Sequence, residues 1–101
     1  MFEGTTPTHT FEVPIDTSLI KTVKINYVQR DKTVLVKRTE DCTIGEDGTI
    51  STTLSQEDTF LFEGNCHVTI LLRILTMAGD ALMALPITMS VGKCLDTEVL
   101  T

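Results

Sequence analysis

The sequence is poor in aromatic residues, with no tryptophan, one tyrosine and four phenylalanines. Sugar-binding sites need exposed aromatic rings for stacking. Because such rings are scarce here, a carbohydrate-binding function is only weakly supported. Long apolar runs are missing too, and every apolar stretch is far shorter than the roughly 20 residues of a membrane-spanning helix. The opening MFEGTTPTHT lacks the basic and then apolar order of a secretory signal peptide. We therefore expect a chain that stays in a cytoplasm or is assembled there into a larger particle.

Cysteine is scarce as well, and its three copies lack the paired spacing of structural zinc sites. Cys42, Cys66 and Cys94 are interpreted as small thiols in a reducing compartment, although with His9 and His67 they could in principle bind zinc. A Cys–His nucleophile would need a cysteine to meet a distant histidine. No nucleophile elbow, phosphate-binding loop or EF-hand is present. The sequence therefore predicts no enzyme activity, no cofactor and no metal.

Positive charge is limited to eight lysines and arginines against 14 acidic residues, which gives a net charge of −6. An acidic surface repels phosphate groups, so neither nucleic acid nor a membrane surface is expected as a partner. Most of the basic residues lie in residues 21–38, which are predicted to form a hairpin. They indicate either a weakly positive face or, as the sequence favours, a solvated strand face whose charges protect an edge.

What the sequence does contain is a repeated alternation of apolar and polar residues, which is typical of strands with one buried face. The chain of 101 residues is long enough for one domain with a substantial core. In the three longest alternating segments, the side chains expected to share a face are Val23, Ile25 and Tyr27; Cys66, Val68, Ile70, Leu72 and Ile74; and Ala81, Met83, Leu85, Ile87, Met89 and Val91.

Turn signals separate these segments. QRDK at 29–32, GEDG at 45–48 and MAGD at 77–80 predict tight hairpin connections. Pro14 and Pro86 interrupt two segments, which indicates edge strands or breaks because proline cannot donate a ladder hydrogen bond. About seven short strands with these turns favour an all-β, immunoglobulin-like antiparallel β-sandwich, although two prolines could also mark bulges in a barrel.

One segment, LSQEDTFLFEGN, does not alternate. Ser55 and Asp58 fit a relative of the capping box, and Glu57 falls in the first turn, where a helix favours negative charge. Phe60 and Phe62 can then turn into the core, and Gly64 ends the turn. The pattern predicts one short helical turn within residues 55–62, at a corner between strands, and it explains the adjacent carboxylates without catalysis.

A further apolar group is expected on the outside of the last long hairpin. Leu71 and Leu75 alternate out of phase with the predicted core face, and Leu82 does the same on the partner strand. Such a patch usually marks a contact surface. Coverage by the C-terminal segment CLDTEVL is the competing explanation. The first strand, with Phe11 and Val13, is the second candidate for an interface.

Four short blocks carry a resemblance. They are PID at 14–16, INYVQ at 25–29, LSQEDT at 54–59, and Arg73 followed by GDA at 79–81. Read together, they resemble a group of small proteins encoded in prophages of Firmicutes, and they are similar to the N-terminal domain of phage baseplate upper proteins. The resemblance covers nearly the whole chain from about His9 onward.

The resemblance implies an immunoglobulin-like domain at 9–101, preceded by a flexible tail at 1–8. It implies a non-catalytic phage or prophage structural protein that acts by protein–protein interaction in the tail or baseplate. The implied partners are other phage structural proteins or further copies of the chain, first in the bacterial host cytoplasm and then in the virion. The alternative function is a carbohydrate- or host-surface-binding β-sandwich module.

Overall fold

The computed structural model describes residues 1–101 and consists almost entirely of strands and turns. The eight strands are β1 (Thr8–Glu12), β2 (Ile20–Gln29), β3 (Lys32–Arg38), β4 (Cys42–Ile44), β5 (Thr49–Thr53), β6 (Cys66–Thr76), β7 (Ala81–Met83) and β8 (Ile87–Val91). The α-helix α1 spans Gln56–Phe60, and two 3-10 turns span Thr17–Leu19 and Thr39–Asp41. No helix is long and apolar enough to cross a membrane.

The strands form two antiparallel sheets that pack as a sandwich, which confirms the predicted fold class at that level. The smaller sheet has the order β1-β5-β4. The larger sheet has the order β3-β2-β6-β7, and β8 also pairs with β6. The longest strands, β2 and β6, lie side by side at its centre because each carries an uninterrupted apolar alternation.

The core lies between the two sheets. Tyr27 and Ile25 from β2 and Val68 from β6 are fully buried, as the alternation predicts. From the smaller sheet, Phe11 and Ile50 face them. The complete core cluster is Phe11, Ile20, Val23, Ile25, Tyr27, Ile50, Leu54, Phe62, Val68, Ile70, Leu72, Ile74 and Val91.

The three predicted hairpin turns are confirmed. Arg30 and Asp31 join β2 to β3 with φ values of 50° and 63°, the left-handed conformation that a two-residue hairpin turn requires. Gly48 and Gly79, with φ of 84° and 90°, take the left-handed conformation in the longer connections between β4 and β5 and between β6 and β7.

The predicted helical turn is also confirmed, and Phe62 enters the core as predicted, whereas Phe60 is half-buried outside the core cluster. Ser55 caps α1 by accepting a hydrogen bond from the Asp58 amide at 3.1 Å, and the Asp58 carboxylate accepts one from the Ser55 amide at 3.0 Å. Gln29 anchors the segment that follows by exchanging two hydrogen bonds with the Glu63 backbone. The Lys37 ammonium lies 2.8 Å from Asp58 and ties the turn to β3.

The prediction for the last strand is wrong in part. Ala81 and Met83 lie opposite Leu75 and Arg73, on the outer face, and do not continue the inner face of Val91. The alternation changes phase between β7 and β8, where Pro86 cannot donate a ladder hydrogen bond. On the β8 side of the break, Ile87, Met89 and Val91 pair with the inward-facing positions of β6.

The N-terminal residues run beside the end of β8. The amide of Glu3 donates to the carbonyl of Gly92 at 3.0 Å, and the amide of Gly92 donates to the carbonyl of Met1 at 2.7 Å. The first strand begins at Thr8. The flexibility of residues 1–8 stays a prediction. The hydrogen bonds place Met1 and Glu3 beside Gly92, which follows β8.

Candidate interaction surface

The outer face of the larger sheet carries two of the predicted interface residues. Leu71 lies opposite Asn26 and Leu75 lies opposite Thr22, so both leucines point away from the core. Both are half-buried and neither belongs to the core cluster. Their assignment to an interface stays a prediction.

Between these two leucines, the same face carries a row of positive charge. Lys24 on β2 lies directly opposite Arg38 on β3 and directly opposite Arg73 on β6. Directly opposed residues of neighbouring strands lie on one face, with their Cβ atoms about 5 Å apart. The two salt bridges of the protein, Arg30–Glu63 and Lys37–Asp58, involve none of these three. We call Lys24, Arg38 and Arg73 the cationic row.

A row with Asn26 between two apolar residues lies on one side of the cationic row. Val36, Asn26 and Leu71 are aligned across β3, β2 and β6. The side-chain oxygen of Asn26 is buried and has no hydrogen-bond partner. On the other side, Leu75 lies between Thr22 and Ala81. The face is therefore a band of three cations with a leucine-containing row on each side.

Leu82 does not belong to this face, which corrects the prediction that three leucines share one outer patch. It lies opposite Ile74, so it points to the inner side, where it is 40% exposed at the margin of the sandwich. The error follows from the phase change near Pro86, which reverses the side that the residues of β7 present.

A second apolar surface lies where the margins of the two sheets meet, and the sequence did not predict it as such. A groove there is lined by the apolar residues Phe11, Pro14, Ala84, Leu85 and Ile87, and also by Thr10 and Glu12. Leu85 is 89% exposed. We call this groove the apolar seam.

The second predicted interface strand, β1, borders that seam. Phe11 is buried against the core and contributes its side chain to folding, while Val13 is partly buried against the same cluster. Because β1 pairs only with β5, its other edge is free. The strand can therefore offer a partner its backbone edge, but the Phe11 side chain is buried in the core and cannot contact that partner.

The outer face of the smaller sheet has a different chemistry. Its outward-facing side chains are hydroxyls and one carboxylate: Thr8, Thr10, Glu12, Thr43, Thr49, Ser51 and Thr53. A hydrogen bond of 2.8 Å joins the hydroxyls of Thr8 and Thr53. The outer face of the smaller sheet therefore offers no apolar contact surface.

The competing explanation for the outer leucines was that the C-terminal segment, CLDTEVL, covers them. The amide of Leu100 donates to the Gln56 side chain at 2.7 Å, and the Gln56 side chain donates back to the Leu100 carbonyl at 2.9 Å. The amide of Cys94 donates to the Glu3 carboxylate at 2.8 Å. These hydrogen bonds place the segment against α1 and the N-terminal residues. Leu95 is 93% exposed there.

Several titratable side chains meet inside the sandwich. His9 Nδ1 and the Tyr27 hydroxyl are joined by a hydrogen bond of 2.7 Å that bridges the two sheets. Burial raises the pKa of Tyr27 well above its usual range, and the nearby Cys42 and Asp58 groups add to the effect. Burial lowers the pKa of His9, and the Met1 amino group lowers it further. Tyr27 is also unavailable for stacking on a sugar, because it is fully buried.

The register brings Cys42 and His9 to opposite sides of Thr52, in one row of the smaller sheet. Burial raises the pKa of the Cys42 thiol. A thiol that keeps its proton is a weak nucleophile, and Thr52 separates it from the imidazole that would have to form the ion pair of cysteine hydrolases. The arrangement can support a hydrogen-bonded polar network. The five cysteines and histidines form no cluster suited to a metal ion.

The sequence could have indicated the cationic row only through the register of three strands. Lys24, Arg38 and Arg73 lie far apart along the chain, and a shift by one residue in either pairing would place them on different faces. The apolar seam depends on the packing of the two sheets and on the phase change at Pro86. The alternation of apolar and polar residues alone reveals neither the cationic row nor the apolar seam.

Comparison with known proteins gave no relatives. Nothing matched this chain among protein-family models, curated proteins or solved structures. The resemblance to phage structural proteins therefore stays a hypothesis carried by the sequence blocks, and the function must be argued from the surface.

Proposed function

We propose that the protein is a non-catalytic interaction module that assembles into a phage or prophage particle, in its tail or baseplate. The observation that carries the proposal is the exposed apolar surface along one margin of the larger sheet. Leu85 and Met83 are 89% and 62% exposed, and Leu82 and Ile87 are 40% and 42% exposed, all within one short segment. Several exposed apolar side chains at one sheet margin are typical of sites that another protein covers.

The strand order gives further support to the immunoglobulin-like expectation within this proposal. The order β1-β5-β4 corresponds to strands B, E and D of an immunoglobulin domain, and β3-β2-β6-β8 corresponds to C′, C, F and G. In this correspondence α1 lies at the corner between E and F. Such sandwiches act through their edges, faces and loops, which agrees with a role in assembly.

The proposal is tested by the protein content of particles made by the phage or prophage that encodes the chain. We expect mass spectrometry of purified particles to detect the protein at a constant ratio to the other structural proteins. Substituting Leu85→Asp should remove it from particles, because a carboxylate in the apolar seam would be buried without a partner on docking.

The matched control is Leu95→Asp, since Leu95 is 93% exposed and lies outside the apolar seam. This variant should enter particles like the wild type. Absence of the wild-type protein from intact particles, or equal incorporation of both variants, would contradict the proposal.

A further inference from the structure

The cationic row concentrates positive charge on a chain whose net charge is −6. Residues 20–38 hold six basic residues and one acidic residue, while the rest of the chain holds two basic and 13 acidic residues. Like charges on directly opposed strand positions destabilise a sheet. Lys24 lies between two such neighbours, Arg38 and Arg73, and none of the three has a salt bridge. A negative surface laid across the row would remove this repulsion.

The same chain carries a complementary negative surface. Glu12 and Asp16 flank the end of β1, and Glu46 and Asp47 form the turn between β4 and β5. Two hydrogen bonds hold these segments together: the Val13 amide donates to the Gly48 carbonyl at 2.9 Å, and the Thr17 hydroxyl donates to the Gly45 carbonyl at 2.8 Å.

All four carboxylates are exposed, and none takes part in a salt bridge. We call Glu12, Asp16, Glu46 and Asp47 the acidic tip. Hydrogen bonds from Ser18 lower the pKa of Asp16, and a hydrogen bond from Thr49 lowers that of Asp47. Both carboxylates therefore stay ionised well into the acidic range.

These charges decide between two ways of pairing copies. A symmetric dimer formed through the outer face of the larger sheet would place one cationic row against the other, because an isologous interface uses the same patch twice. Like-charge juxtaposition at an interface costs several kcal/mol. A head-to-tail contact between this face and the acidic tip places opposite charges together.

We propose that the cationic row of one copy receives the acidic tip of a second copy, in a heterologous contact flanked by Leu71 and Leu75. This inference rests on the proposed role in assembly and specifies one partner for it. A heterologous contact leaves one free face and one free tip on every pair, so it extends into rings or filaments.

The test uses two double variants that remove charge without reversing it. Lys24→Gln with Arg73→Gln neutralises the face, and Glu46→Gln with Asp47→Asn neutralises the tip. Arg73, Glu46 and Asp47 are exposed and Lys24 is half-buried on the outer face, so both variants should fold, which circular dichroism and the thermal midpoint will verify. Molar mass is measured by light scattering over a concentration series at low and high salt.

The wild type should grow beyond a dimer with increasing concentration and dissociate with added salt, because salt screens exposed charge pairs. Each variant alone should associate at least about tenfold more weakly, equivalent to about 1.4 kcal/mol. Their equimolar mixture should form a complex that stops at one copy of each, since only one native face and one native tip remain.

A wild type that stays monomeric at every concentration would overturn the inference, and so would a mixture that forms no complex. A tip variant that associates as strongly as the wild type would show that the contact is not head-to-tail. These outcomes are independent of the particle experiment above. A monomer found in particles would refute this inference alone, whereas a self-associating chain absent from particles would refute the proposed function alone.

Discussion

At the scale of single residues, the polar interior depends on contacts that the sequence could not reveal. The alternation around Tyr27 predicted correctly that its ring is internal. Its hydrogen bond to His9 was not predictable, because it joins residues of different sheets and requires the packing of one sheet on the other. The ring of Tyr27 also lies 5.6 Å from that of Phe62, which fixes it further.

The His9–Tyr27 contact predicts a pH dependence of stability. Burial lowers the pKa of His9 below its ordinary value of 6.5, so the unfolded chain binds a proton more readily than the folded one. The free energy of unfolding is therefore fully maintained above pH 6.5 and should decrease as the pH falls below that value. Urea unfolding at a series of pH values measures this decrease in the free energy of unfolding.

Two histidine variants separate this effect from general acid destabilisation. His9→Gln should lose the decrease in the mildly acidic range, and His67→Gln, which changes an exposed residue of β6, should keep it. A His9→Gln variant with the full wild-type decrease would refute the explanation.

At the scale of elements, local chemistry predicted the turns and the helical turn but not the last two strands. The capping pattern of Ser55 and Asp58 requires only neighbouring residues, so it was visible in the sequence. The phase change between β7 and β8 depends on how the chain passes Pro86 and re-pairs with β6, which is a tertiary property. Leu82 was assigned to the wrong face for this reason.

Removing a glycine from one turn and adding a glycine to another should change the stability in opposite directions. Gly79 has φ of 90° and open space around the position of a Cβ atom, so Gly79→Ala should cost about 1–2 kcal/mol through backbone conformation alone. Asp31 has φ of 63°, so Asp31→Gly should stabilise the protein, by up to about 1 kcal/mol. Urea midpoints of both variants check the signs, and a stabilised Gly79→Ala variant would contradict the assigned turn.

At the scale of the whole molecule, composition and alternation predicted a sandwich but not its strand order. Pairing of β2 with both β3 and β6 creates the cationic row, and neither pairing partner is specified by the alternation itself. Two surfaces result from this order. The larger sheet presents an outer face with cations between leucines, and the margins of both sheets form the apolar seam.

The central claim is that the outer face of the larger sheet receives a second copy of the protein, and methyl NMR of its leucines tests it most directly. As the protein concentration rises, the signals of Leu71 and Leu75 should shift and broaden, while those of Leu95 and Leu100 on the C-terminal segment should stay unchanged. Unchanged Leu71 and Leu75 signals in a sample whose mass increases, or equal changes in all four leucines, would contradict the account.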